Sequence, residues 1–166
     1  MAQPVETVEF DVSDPHAVVA RMEGLHTTRD GWVNLRPGID PEDEPPRPSP
    51  LAALFGTQAH PVPMCTWIPG RAGRNGIAPD KVGVIHDHGA KVAGYLARRG
   101  VALPDGWKLV QDHPRRGLVA ELPPDAEPAG VLEWLMEAAS ALSAVALTGD
   151  WRAEFHLSRQ AGAGAR

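Results

Sequence analysis

The chain has 166 residues, 43% hydrophobic and 22% charged, with a formal net charge of −5. That length suits one domain with a sizeable core or two very small ones, and the acidic balance argues against a nucleic-acid partner, which would call for a clustered basic excess. No apolar run approaches the length that spans a bilayer, so no membrane partner is expected.

The first ten residues, MAQPVETVEF, hold neither a basic segment nor a long apolar one of the kind that directs export, and a cytoplasmic location is expected. Cys65 is the only cysteine. No intramolecular disulfide can form, and no thiolate-rich zinc site can be built.

Val5 to Val12 alternates apolar and polar residues and reads as a strand. Asp14-Pro15 predicts an N-cap followed by proline at the first helical position, and Ala17, Val18, Ala20, Met22 and Leu25 supply an apolar helix face. Trp32 to Leu35 reads as a second strand. The acidic, proline-dense stretch 41–50 is a loop, Leu51 to Phe55 one helical turn, Val62 to Ile68 a strand, and the glycine-rich stretch 69–80 a polar loop. Val82 to Ile85 is a short buried strand. The helix at 89–99 has Val92, Ala93 and Leu96 on one face and Gly100 just past its end. Strands at 107–112 and 116–122 are joined as a hairpin through His113 to Gly117. The helix at 128–147 has the strongest pattern, and its apolar stripe is widened by Trp134, Met136 and Leu147; Thr148-Gly149-Asp150 should stop it. Trp151 to Leu157 is the last strand, and 159–166 reads as a disordered tail.

These elements form one α+β domain over 1–158, with an N-terminal half at 1–68. An antiparallel sheet carries the helices on one face, because the apolar faces of two helices need a common sheet. Within 82–157 the order strand, helix, strand, strand, helix, strand is the ferredoxin-like βαββαβ arrangement. The N-terminal half reads as a weak duplicate: Phe10-Asp11, a helix, then Asp30-Gly31-Trp32 parallels His86-Asp87, a helix, then Asp105-Gly106-Trp107. The breadth of the 128–147 apolar face leads to the expectation of a homodimer, with cover by the N-terminal half of the same chain as the alternative.

Followed strand by strand, that topology collects His86, Asp87, His88, Gly89, Asp112, His113, Arg115, Arg116 and Asp150 at one edge. Three chemistries compete there. The first is recognition of an anionic small molecule or protein partner: Arg115 and Arg116 offer forked donors, and the amides of Gly89 and Ala90 would open a helix. The second is a divalent metal held by His86, His88 and His113, since histidines two apart on an extended segment share a face. The third is acid–base catalysis by a histidine oriented by a carboxylate. A purely structural account also fits, with Asp112-His113-Pro114 starting a turn, Gly117 at a positive φ and Asp87 capping a helix. The sequence carries no nucleophile elbow, P-loop or dinucleotide fingerprint. The expectation is therefore a non-catalytic, cofactor-free binding module, with a small metal-dependent or His/Asp enzyme as the alternative.

The segment QDHPRRGLV (residues 111–119), with WRAEFH further on, resembles a pattern in small uncharacterised proteins of high-GC bacteria. It covers about the last half of the chain. The resemblance implies no activity.

Overall fold

Alternating and helical spacings place most elements as read. A computed structural model describes residues 5–46, 49–51 and 60–157. The chain runs β1 (Val5–Asp11), α1 (His16–Thr28), β2 (Trp32–Ile39), a 3-10 turn (Pro41–Asp43), β3 (Met64–Ile68), β4 (Ala72–Gly73), β5 (Gly76–Ile77), β6 (Lys81–Ile85), α2 (Val92–Arg98), β7 (Lys108–His113), β8 (Gly117–Glu121), α3 (Pro128–Leu142) and β9 (Leu147–His156). β4 and β5 form a small hairpin inside the glycine-rich loop. The other strands make one antiparallel sheet in the order β1-β9-β2-β3-β6-β8-β7. The tail at 159–166 and most of the helical turn at 51–55 lie outside the described residues.

Register explains the core. Ala153, Leu35, Cys65, Val84 and Leu118 lie opposite one another in turn across β9, β2, β3, β6 and β8. Phe155, Val33, Trp67, Val82 and Ala120 make the adjacent row. All ten are buried, in one cluster with Val18, Met22 and Leu25 of α1, Val92 and Leu96 of α2, and the apolar stripe of α3. The helices therefore cover one face of the sheet. The other face, with Asn34, Thr66, Gly83 and Val119, is half-buried, and no described helix packs on it.

The ferredoxin-like order is the main correction. β6 and β7 run parallel with β8 between them and α2 crossing over, as that arrangement requires. However, β9 does not lie beside β6: β2 and β3 stand in between, and β9 pairs with β1 and β2 instead. The physical reason lies in the N-terminal half. β1, α1 and β2 form a second split unit, parallel strands with a gap one strand wide, and the ten residues of β9 fill it, bonded on both sides. The alternation Trp151, Ala153, Phe155 turns that strand's apolar side to the helices.

The other differences are local. α3 stops at Leu142 rather than 147. Ser143 turns into extended backbone, its hydroxyl donates to Val145 O and accepts from Val145 N, and the Ala144 amide bonds Pro61 O. Thr148, Gly149 and Asp150 are thus strand, with Asp150 opposite Asp11, and not a helix stop. Pro15, not Asp14, occupies the N-cap of α1, without a side-chain cap. Trp134 and Met136 are buried within the chain: the Trp134 indole N–H donates to Ala102 O and its ring lies 5.2 Å from Trp107. α1, α2, β3 and β6 pack on α3. The apolar breadth that pointed to a dimer is met inside one chain. No described helix is long and apolar enough to cross a membrane.

Two outcomes are expected. Gly117 has φ +81, and a Cβ there would stand 2.4 Å from Val84 O. Gly117→Ala should therefore lower unfolding free energy by about 3 kcal/mol in urea titration; an unchanged midpoint would show that β6 and β8 part easily. Burial pushes the Cys65 thiol up to about 12. Labelling by an aromatic disulfide at mildly alkaline pH should then occur only as fast as the protein unfolds.

Candidate functional site

β6 and β7 run the same way on either side of β8, so His86 and His113 come to one edge with the β7–β8 turn. Eight of the nine residues expected there share that edge. Asp150 does not join them. It lies at the same end of the sheet but three strand spacings from β6 and five from β7, roughly 14 and 24 Å at ordinary strand separation.

Three of the polar side chains at this edge, Asp112, His113 and His86, are engaged by backbone amides. Asp112 faces the helix side, and its two carboxylate oxygens accept the amides of Val92 and Ala93, each at 3.0 Å. It caps α2 from a distant strand, a role the sequence reading assigned to Asp87. The helix opens at Val92 because Lys91 takes the left-handed conformation, φ 61. The amides of Gly89 and Ala90 are therefore not a helix N-terminus, and the anion seat expected there does not form.

His113 holds the turn: its Nδ1 accepts the amides of Arg115 and Arg116 at 3.1 and 3.2 Å. The Gln111 amide donates to the carbonyls of Arg116 and Gly117. Arg115 and Arg116 themselves are exposed and form no ion pair with any described residue.

His86 is 2% exposed. Its Nδ1 accepts the His88 amide at 3.1 Å, so the neutral ring carries its proton on Nε2. That atom is buried without a partner among the described residues. Desolvation holds the imidazole below its usual protonation range, opposed in part by the charge of Asp112. His88 is exposed and lies against the Tyr95 ring at 3.9 Å. With one ring buried and the other at the surface, the pair does not share a face as an extended segment would place it. Among the described residues no group of three His, Cys, Asp or Glu side chains gathers as metal ligands.

The chain matches no protein-family model, no curated protein and no solved structure. Function therefore rests on chemistry alone.

Two polar clusters escaped the sequence reading. At the opposite end of the sheet, Asp80 is buried and accepts the Gly70 amide at 2.8 Å and Arg29 Nη1 at 3.2 Å, with His26 Nδ1 3.1 Å away. His26 in turn stacks on Trp67. This set ties the glycine-rich loop to the end of α1. Its only sequence signal is an acid closing that loop. The second cluster gathers charges from β1, β9 and β2 on the open face; only the true strand order brings them together.

Because folded His86 binds a proton less readily than the unfolded chain does, its contribution to stability is complete above the ordinary value of 6.5 and falls as pH drops through it. His86→Asn should flatten that part of a pH–stability curve. An unchanged slope would assign it to other groups. Asp112→Ala should cost about 1–2 kcal/mol by loss of the cap, read by thermal and urea unfolding, with Asp112→Asn retaining part of it.

Proposed function

We propose that the protein is a non-catalytic binding module that recognises an anionic group on a protein partner through Arg115 and Arg116. The observation that carries this reading is the build of the turn. His113, Gln111 and Gly117 fix its backbone, while the two guanidiniums leave it exposed and without ion pairs to any described residue. A pre-ordered pair of forked donors loses little freedom on meeting carboxylates. His86, Asp112 and His113 act as supports of that turn and of α2, not as ligands. The metal-dependent or acid–base alternative has less to draw on, since the Nδ1 atoms of His86 and His113 and both oxygens of Asp112 are engaged by backbone amides. The single buried thiol fits a cytoplasmic setting. We read the two split β-α-β units as one supersecondary plan used twice.

A fluorescein-labelled octaglutamate peptide, followed by anisotropy, tests the reading. It should bind at low salt, weaken as salt rises, and lose about ten- to hundredfold in affinity in Arg115→Ala/Arg116→Ala, with an unchanged melting temperature. Equal binding by the variant would remove the arginines from the site. A large drop in melting temperature would make them structural.

A further inference from the structure

A cavity of about 650 Å³ opens where β1, β9 and β2 lie side by side, far from the arginine turn. Its charged lining is Glu9, Asp11, Arg36, Glu44, Asp150 and Arg152. Register orders these charges into rungs. Glu9, Arg152 and Arg36 stand opposite one another across the three strands. Asp11 and Asp150 form the next rung on the same face, about 7 Å further along.

Each rung sets like charges side by side, which is unfavourable when nothing bridges them. In the first, Glu9 accepts from Arg152 at 2.9 Å, and Arg36 bonds no described residue. In the second, Ser13 donates to Asp11 through its hydroxyl and amide and holds that carboxyl below its usual range, whereas the Asp150 carboxylate has no partner among the described residues. Arg36 and Asp150 thus line one cavity with opposite charge and no contact between them. Just beyond Arg36, β2 is irregular between Pro37 and Ile39. A regular register would set Gly38 opposite Asp150; instead, the backbone there packs so tightly that a Cβ on Gly38 would lie 2.8 Å from Asp150 O.

An anion on Arg36 alone would face the neighbouring carboxylates. A cation between Asp11 and Asp150 alone would leave the arginine rung uncompensated. One ligand satisfies both rungs: a molecule with a carboxylate at one end and an ammonium at the other. A carboxylate accepts the guanidinium fork, and an ammonium offers three donors to the two aspartates. The volume lies within the range of small-molecule sites and exceeds what a single small amino acid fills.

We propose that this groove binds a short peptide with free termini, its carboxylate on Arg36 and its ammonium between Asp11 and Asp150. The assignment is independent of the arginine turn.

Amide NMR of the full chain, titrated with triglycine, N-acetyltriglycine and triglycinamide near neutral pH, tests it. Triglycine should shift the amides of Asp11, Arg36, Asp150 and Arg152 saturably, and each blocked form should bind about tenfold more weakly or worse. Arg36→Gln should reduce triglycine to the affinity of triglycinamide. Asp150→Asn should reduce it to that of the acetylated form. Both positions are exposed, so the fold should persist in either variant, and the three-peptide comparison on the unmodified chain needs neither. Acetylated peptide binding as well as triglycine would make this an anion site. Triglycinamide binding as well would make it an acidic patch only. Absence of saturable shifts at millimolar peptide would leave no peptide site. Any of these three results overturns the proposal.

Discussion

One-sided burial governs this structure. Every long strand turns alternate residues toward the same helices, and the rows through Leu35, Cys65, Val84 and Leu118 and through Val33, Trp67, Val82 and Ala120 are apolar from end to end. A polar group on that face has to bring its own partner, because burying it unpaired costs free energy on the order of 1–3 kcal/mol. The carboxylates present sit at the ends of the rows, where backbone amides are available. Asp112 meets the first turn of α2, and Asp80 meets Gly70. There are two exceptions among the described residues: His86 is bonded through one ring nitrogen and not the other, and the buried indole N–H of Trp67 has no partner.

This constraint separates two kinds of polar residue. Those facing the helices serve the architecture, however chemical they look in sequence. Those with unmatched charge lie elsewhere: Arg115 and Arg116 on a turn, Arg36 and Asp150 on the uncovered face. The HDH and DHPRRG motifs drew attention because histidine, aspartate and arginine cluster in them. The structure divides that cluster. His113 and Asp112 build the turn and the cap, His86 is buried, and Asp87, His88 and the two arginines face solvent.

What the sequence could show follows from range. Alternation and helical spacing are local, so the strands, the β7–β8 hairpin and the α+β class were legible. The 143–150 stretch was not, because Val145 and Leu147 satisfy a helix and a strand equally. Strand order depends on which edge β9 finds, and nothing within residues 147–156 encodes that β1 and β2 leave a gap. Asp150 was accordingly grouped with the wrong neighbours, and Arg36, Asp11 and Arg152 were not grouped at all. The cap on α2 was missed for the same reason, since its carboxylate comes from twenty residues away.

The position of β9 has a consequence for how the chain is made. β1 and β2 bond to no common neighbour except β9, so this part of the sheet is completed only by a strand far along the chain from both. Until then β1 has no strand partner and β2 has only β3. Such open edges invite pairing with other chains, and the long separation slows their proper closure. The nascent chain therefore carries these open edges for as long as the segment between β2 and β9 takes to be made, and β1 waits longest of the sheet's strands for its place.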